Sequence, residues 1–444
     1  MKLFNSKSNK IETFKSIEPN KVSLYLCGPT VYNHAHIGNA RPIVVFDLLR
    51  RVLSAEGYDV KFVSNYTDID DRIIEKAQKE GVLESVISER YIQAYEKVRD
   101  SLYAGHVDVK PQVTHVIDDI VNYISELESK DYAYEAGGDV YFKVDKVPTY
   151  GQISHQKLDA LKVGARIEEN ESKKNPLDFV LWKQTDDMGI KWDSPWGKGR
   201  PGWHTECVVM INDAFGDIID IHAGGQDLKF PHHENESAHS YAMHDHDIAN
   251  YWLHCAMLQI DGEKMSKSLG NVLWAQDYID RFGANVTRWV LLSTHYRLVL
   301  NISEDTINQS IKEVKRIEDA MKQATLKLSL MDVKIEGSVN EATYTRFLEP
   351  LKDDLNVANA LVVLFDHLKE LNQSLRVKDI DVTTLSDHVV TLEKMLNILG
   401  IEVQRTYLEA EDKALYEKWN SAKANKDFET ADTLRSRLIE KGLL

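Results

Sequence analysis

Val22-Ser23-Leu24-Tyr25-Leu26-Cys27-Gly28-Pro29-Thr30-Val31-Tyr32-Asn33-His34-Ala35-His36-Ile37-Gly38-Asn39 is the stretch on which the fold turns. Val22 to Cys27 is a short apolar run of strand type, Gly28-Pro29 breaks it, and a helix is expected to start near Pro42, ending at Gly57. Val60 to Asn65 then reads as the next strand, so the whole is a βαβ unit of a parallel sheet. Ligands bind at the carboxyl ends of such strands, and a helix start offers unpaired backbone N–H groups and a positive dipole to phosphate. Cys27 and the segment Asn65-Tyr66-Thr67-Asp68-Ile69-Asp70-Asp71 both fall at such ends. A second polar segment, Lys264-Met265-Ser266-Lys267-Ser268, is flanked by Asp261-Gly262-Glu263 and Leu269-Gly270-Asn271. It reads as a mobile loop whose two ammonium groups can close on a pyrophosphate leaving group.

Working outward, 444 residues exceed what one core holds, so two to four domains are expected, and 43% apolar residues suffice to fill them. The stretch from Lys110 to about Arg200 changes character, with a hairpin at Gly137-Gly138 and a loose charged run from Glu168 to Lys174, and reads as an insertion splitting the sheet. Parallel-sheet features return at Asp217 to His222, followed by Ala223-Gly224-Gly225-Gln226-Asp227, whose paired glycines permit close backbone approach to a ligand. From about Ser303 onward the pattern is helical. The amino terminus has no apolar run of signal-peptide length and no stretch is apolar enough to span a membrane, which places the protein in the cytoplasm. In that compartment Cys27, Cys207 and Cys255 are expected to be reduced, as metal ligands or buried thiols. A net charge of −16 is unfavourable for a nucleic-acid binder but excludes none, because phosphate contact needs only a local basic surface. The tail from Lys413 to Leu444 carries seven Lys/Arg against five Asp/Glu.

The thiols and imidazoles suggest a metal. Cys27 ends the first strand, Cys207 lies in Gly202-Trp203-His204-Thr205-Glu206-Cys207, and Pro231-His232-His233-Glu234-Asn235-Glu236 opens a helix. His232 and Glu236, four apart, share a helical face, so Cys27, Cys207, His232 and Glu236 would complete a tetrahedral zinc site. His204 and His222 are alternative ligands. The helix lacks the second histidine of a zinc protease, which removes that rival.

Together these segments resemble the bacterial cysteinyl-tRNA synthetases, a family of class I aminoacyl-tRNA synthetases whose two nucleotide signatures match His36-Ile37-Gly38-Asn39 and Lys264-Met265-Ser266-Lys267-Ser268. The resemblance also runs through Leu26 to Asn33, Thr67 to Asp71, Gly202 to Cys207, Asp220-Ile221-His222 and Phe230 to Glu236. It implies an α/β, Rossmann-like parallel-sheet catalytic domain with an insertion, then a helical bundle and a short carboxyl-terminal tRNA-binding segment. The corresponding boundaries are 1–110 and 202–260 for the two catalytic halves, 111–201 for the insertion and 261–302 for the Lys264 loop and stem-contact region. The bundle, on the anticodon-stem side, takes 303–400 and the anticodon-binding segment 401–444. It further implies L-cysteine, ATP and tRNA(Cys) as partners, one Zn2+ at Cys27, Cys207, His232 and Glu236, Mg2+ with ATP, and a monomer. His36, Lys264 and Lys267 would be catalytic. Thr30, His36, Gly38, Asn39, Gly224, Gly225, Asp227 and Lys267 would bind ATP, and Gly28, Thr67, Trp203 and Asp227 would line the cysteine pocket. The family's zinc takes the substrate thiolate directly. Soft sulfur suits zinc, whereas a serine hydroxyl is a harder and far weaker acid, so selection is made at binding and no editing domain is implied.

Asn39 stands where the best-known form of the first signature has histidine, and it cannot carry charge. The family's usual terminal strand with a tryptophan does not follow Ala431 to Leu444, so the anticodon segment reads as shortened. Two alternatives share the same core: a ligase passing cysteine to an amino-sugar, weighed against by the helical bundle, and a tRNA-handling protein without catalysis, weighed against by the presence of both nucleotide signatures.

Overall fold

Residues 1–156, 173–265 and 271–443 are described by the computed structural model, and the chain divides into two units. The first comprises Met1–Ile307 and Lys352–Asn356. It opens with β1 (Lys2–Asn5), β2 (Lys10–Thr13), β3 (Lys21–Leu26), α1 (Ile37–Ala55), β4 (Asp59–Ser64), α2 (Asp71–Glu80) and α3 (Glu84–Ser101). After α4 (Ile117–Ser129) come β5 (Ala133–Ala136), β6 (Asp139–Phe142), β7 (Phe179–Gln184) and β8 (Gly199–Pro201). Then follow α5 (Trp203–Phe215), β9 (Ile219–Gly225), α6 (Glu234–His244) and β10 (Ala249–Cys255). β11 (Leu258–Ile260), β12 (Glu263–Lys264), α7 (Ala275–Phe282), α8 (Ala284–Leu292) and β13 (Leu300–Ile302) complete it.

The expected parallel sheet has the order β10-β9-β3-β4, every pair parallel. Val22, Leu24, Tyr25 and Leu26 of β3 are all buried, as a strand covered on both faces requires. From β3 the chain crosses through α1 to β4 on one side, and much later places β9 on the other. Strand order therefore reverses between β3 and β9, which opens a crevice at their carboxyl ends. There Cys27 donates its N–H to the Ala223 carbonyl at 3.0 Å. Between the halves lies the antiparallel sheet β5-β6-β7-β8. Gly137 and Gly138, at φ 64° and 94°, make the tight turn of its first hairpin, as expected. Of the charged run, Glu168 to Ser172 lies outside the described residues.

Two local expectations are corrected. Helix α1 begins at Ile37, five residues before Pro42. Asn39 Oδ1 accepts the His36 backbone N–H at 3.1 Å, a reciprocal cap that starts the helix early. Pro42 then lies inside it, giving up the bond that a residue there would donate to the Gly38 carbonyl. Lys264 lies on β12, not in a loop: Gln259 pairs with Lys264 and Ile260 with Glu263. Asp261 and Gly262, both at positive φ (48° and 81°), form the two-residue turn between. That Asp-Gly pair is a hairpin signal legible in the sequence.

Buried charge fixes α1 in place. Arg41, 1% exposed, donates to the carbonyls of Ala256, Met257, Thr294 and His295. Asp47 holds Arg50, Arg51 and Arg288; burial works against its charge, yet the three guanidiniums, Arg288 first, keep the carboxyl below its usual range.

The second unit comprises Asn308–Leu351 and Val357–Leu444. Its helices are α9 (Glu304–Leu330), which starts just before the unit, α10 (Glu341–Lys352), α11 (Val357–Ser374), α12 (Val382–Leu399), α13 (Ala410–Ala424) and α14 (Phe428–Glu440). Among the described residues no strand follows Ile302. On α12, Leu385, Val389, Leu392, Leu396 and Leu399 recur at helical spacing and are buried. Asp381 caps its start by accepting from the Thr383 and Thr384 N–H groups, and Gly400 at φ 68° ends it.

Candidate active site and metal nest

The four expected metal ligands converge from three elements. Cys27 follows β3, Cys207 lies on α5, and a short distorted helical turn, Lys229–His233, leads into α6 with His232 and Glu236. The two sulfurs are 3.8 Å apart, Cys207 Sγ is 3.6 Å from His232 Nε2, Cys27 Sγ is 3.7 Å from Glu236 Oε1, and His232 Nε2 is 2.8 Å from Glu236 Oε1. Ligands about 2.3 Å (sulfur) and about 2.0 Å (nitrogen, oxygen) from a tetrahedral zinc lie about 3.8 Å apart for two sulfurs, 3.6 Å for sulfur and nitrogen, and 3.3 Å for nitrogen and oxygen. Three of these four edges match, and the one between His232 and Glu236, at 2.8 Å, is about half an ångström short, so the donor set fits zinc with a small spreading of that pair. The sulfur separation also excludes a disulfide. A second grouping, Cys27, His222, His233 and Glu236, shares two donors. It offers one thiol only, and its imidazoles are those of His222 and His233.

Those imidazoles hold the ligands in aim. His222 Nε2 meets the other Glu236 oxygen, Oε2, at 2.5 Å, and its ring stacks on Trp252. His204 Nδ1 faces His232 Nδ1 at 3.0 Å, leaving His232 Nε2 for the nest. Burial keeps His204 neutral, its pKa well below the ordinary value, so it can accept the His232 Nδ1–H. Both histidines, open as substitute ligands from sequence, thus contact the ligands themselves. Behind them His233 Nδ1 meets His254 Nε2 at 2.9 Å, and His254 Nδ1 meets Ser6 Oγ at 2.8 Å. At the start of α6, Glu234 accepts N–H bonds from Gly151 and Ser154, and Asn235 meets the Tyr150 hydroxyl.

Charge in the nest is sorted before any ion enters. The Cys27 thiol donates to Cys207 and, against burial, brings the Cys207 thiol down to about 6. Burial pushes Cys27 itself well up. Burial also opposes charge on His232 and Glu236, yet the Glu236 carboxylate raises His232 to about 10, and His222 with His232 holds Glu236 well below the carboxylate range. Cys207 and Glu236 thus shed their protons readily, and a dication would take the place of the proton that His232 keeps.

Over the nest lies Trp203, 41% exposed, its ring stacked on His232 at 4.3 Å and 20°. It forms part of a cleft of about 560 Å³ at the switch point, also lined by Cys27, Gly28, Thr30, His36, Gly38, Asn39, Gly225, Asp227 and Lys264. Cys255, a thiol without a sequence-assigned role, also borders the cleft while remaining buried. Two expected residues stand behind the wall. Thr67 is buried, its hydroxyl 3.4 Å from Glu206 Oε2, and Gly224 leaves room for the His233 ring, which an added Cβ would approach to 2.8 Å. At Gly28 a Cβ would overlap the Asn65 carbonyl oxygen, and at Gly38 it would stand 3.0 Å from the His36 ring and 3.1 Å from Met265 Cε.

The two signature segments meet. Ile37 donates to the Leu273 carbonyl and Ala275 to that of Ala35, each at 2.8 Å, and Met265 abuts Gly38. Lys264 is exposed and makes no ion pair among the described residues; Lys267 lies outside the described residues. One cleft cation, Arg72, was not singled out from sequence. It pairs with Asp70 at 2.8 Å, reaches Thr30 Oγ1 at 3.2 Å and lies over the Tyr32 ring. No local signal gives it away, because the Thr30–Thr67 bridge that brings the two loops together is a tertiary contact.

Known proteins share this architecture. A family model of the class I (C) tRNA synthetase catalytic domain matches residues 13–312, and a DALR domain model matches 346–404. A cysteine–tRNA ligase of Shouchella clausii is 45% identical, covering 100% of this chain and 97% of that protein, and one of Halalkalibacterium halodurans is 44% identical with the same coverage. The solved methionyl-tRNA synthetase of Mycobacterium tuberculosis in complex with methionyl-adenylate has the same fold, with a TM-score of 0.61 at 14% identity over 85% of this chain and 89% of that one. No helix among the described residues is long and apolar enough to cross a membrane. Sheet, signatures and full-length identity agree with the resemblance read from the sequence: the chain belongs to the cysteine–tRNA ligase family of class I aminoacyl-tRNA synthetases.

Proposed function

We propose that the protein activates L-cysteine with ATP and transfers it to the 3′-terminal ribose of tRNA(Cys), in the cytoplasm and as a monomer. The observation that carries this is the nest of two thiols, an imidazole and a carboxylate, opening beneath Trp203 into a cleft lined by His36, Gly38 and Asn39 of one signature and Lys264 and Met265 of the other. A zinc ion held by Cys27, Cys207, His232 and Glu236 would supply a soft acceptor for the substrate thiolate, favouring cysteine over serine.

The chain's own residues do the positioning. Trp203, Gly28 and Asp227 border the amino-acid end of the cleft, where the Asp227 carboxylate would take the substrate ammonium. Thr67 supports that wall from behind. Thr30, Gly38, Asn39 and Gly225 border the nucleotide, Gly224 backs it, and at the start of α1, where the Ile37 and Asn39 amides already donate to Leu273 and His36, the Gly38 amide would be left for phosphate. The cysteine carboxylate attacks the α-phosphorus of ATP, forming a C–O–P link as the bond to pyrophosphate breaks. His36 stabilises charge on the phosphates, while Lys264 and Lys267 receive the departing pyrophosphate, whose charge Mg2+ bound with ATP would help to neutralise. A ribose hydroxyl of tRNA then attacks the activated carbonyl carbon and AMP departs. The stem-contact region 261–302, the bundle 303–400 and the segment 401–444 serve the tRNA, the last two on the anticodon side.

The test is charging of tRNA with labelled cysteine, beside cysteine-dependent ATP–pyrophosphate exchange. Both are expected, with serine giving neither. Exchange without charging would direct the activated cysteine to another acceptor, and absence of both would overturn the enzymatic assignment.

A further inference from the structure

Helices α11 and α12 of the second unit carry a second group of potential metal ligands. His367 and Glu370, three apart on α11, share a face, and His388 comes from α12. One ligand atom from each lies within 4.8 Å of the other two. The His367 side chain is 1% exposed, and its Nε2 lies 2.9 Å from the His388 carbonyl oxygen. A carbonyl only accepts, so Nε2 carries the proton and Nδ1 the lone pair. That nitrogen is buried and finds no hydrogen-bond donor among the described residues. It faces Glu370 Oε2 at 3.8 Å, and the His388 ring centroid is 4.9 Å from that of His367.

A buried lone pair turned toward a carboxylate sets two acceptors against each other with no hydrogen between them, which is unfavourable unless a cation joins them. We propose that His367, Glu370 and His388 bind a divalent metal of borderline softness, such as Zn2+, Ni2+ or Co2+, and so clamp α11 to α12. Two imidazoles and one carboxylate on packed helices make a donor set for such ions, with water completing the coordination. Burial lowers the pKa of both histidines, so both lone pairs are available at neutral pH. Glu370, with 57% of its side chain exposed, can swing to close the remaining gap. The tautomer is already fixed by a backbone carbonyl, the arrangement that orients a metal-binding histidine. Lacking a thiol, this site should bind more weakly than the nest at Cys27. Another cluster, Asp217, His244 and His246, lacks this feature: there the orphan nitrogen of His244 is Nε2, whereas Nδ1 faces Asp217.

The full chain, loaded with one equivalent of zinc, would be titrated with Ni2+, reading bound metal after equilibrium dialysis and the melting temperature. Wild type is expected to take one further equivalent and to melt a few degrees higher, since an ion binding only the folded state stabilises it. His388→Gln and Glu370→Gln should each weaken that second equivalent at least about tenfold and abolish the rise, with cysteine activation unchanged. His246→Gln should keep both. The proposal is overturned if wild type takes no second equivalent at about tenfold excess of nickel over protein, if the second ion survives in His388→Gln and Glu370→Gln, or if His246→Gln alone removes it.

Discussion

The two ends of one cleft, the one proposed for the amino acid and the one proposed for the nucleotide, are built on opposite principles. At the amino-acid end, Cys207, His232 and Glu236 are at most 1% exposed, and each imidazole and carboxylate is braced by another side chain. At the nucleotide end Lys264 stands exposed on a two-residue strand and pairs with no carboxylate among the described residues. Discriminating one thiol from a hydroxyl calls for donors fixed within tenths of an ångström before the substrate arrives, whereas stabilising a leaving pyrophosphate calls for charge that can follow it. On the proposed function, rigidity is placed where selection would be made.

The contrast can be broken from its rigid side first. Cys207→Ala should leave the purified protein without stoichiometric zinc and lower cysteine-dependent pyrophosphate exchange by about 10³-fold; full zinc occupancy in that variant would remove the nest from the account. On the other side, Lys264→Ala and Lys267→Ala should each slow activation by about 10²-fold at saturating substrate while leaving the KM for cysteine near wild type. A rise in that KM with an unchanged rate would erase the distinction between the two ends.

Smaller effects sharpen it. His222→Gln removes the brace from Glu236 without removing a ligand, and chelator competition should show zinc held about 10- to 100-fold less tightly. Unchanged retention would mean that Glu236 is aimed by its helix alone. Trp203→Ala strips the ring from His232, and a loss of about 1 kcal/mol, read as a roughly fivefold rise in the KM for cysteine, follows from the stack. Should kcat fall instead, Trp203 would belong to the chemistry rather than to the pocket.

Much of this was legible in the sequence, for reasons that differ by region. The apolar run at Val22 and the glycine and proline after Cys27 specify strand and turn locally, and i,i+4 spacing alone places His232 and Glu236 on one face. The start of α1 was misplaced because Pro42 is a strong local signal, while the deciding interaction, Asn39 capping His36, involves a residue read for its lost charge and not for its amide oxygen. The Asp261-Gly262 turn is a local signal, but the polar residues on both sides of it make the segment look like a loop. The bracing of His232 by His204, the stacking of Trp203 and the placement of Arg72 were not readable, since each depends on residues far apart in the chain. Selection of the metal's ligands is local chemistry, whereas their aim is tertiary.

The most direct test of the nest as the seat of selection is zinc-edge X-ray absorption on the zinc-loaded protein, with and without cysteine. Two sulfur neighbours, from Cys27 and Cys207, are expected in the free protein, rising to three with cysteine and staying at two with serine. A sulfur count that does not change when cysteine saturates the protein would contradict recognition through the metal.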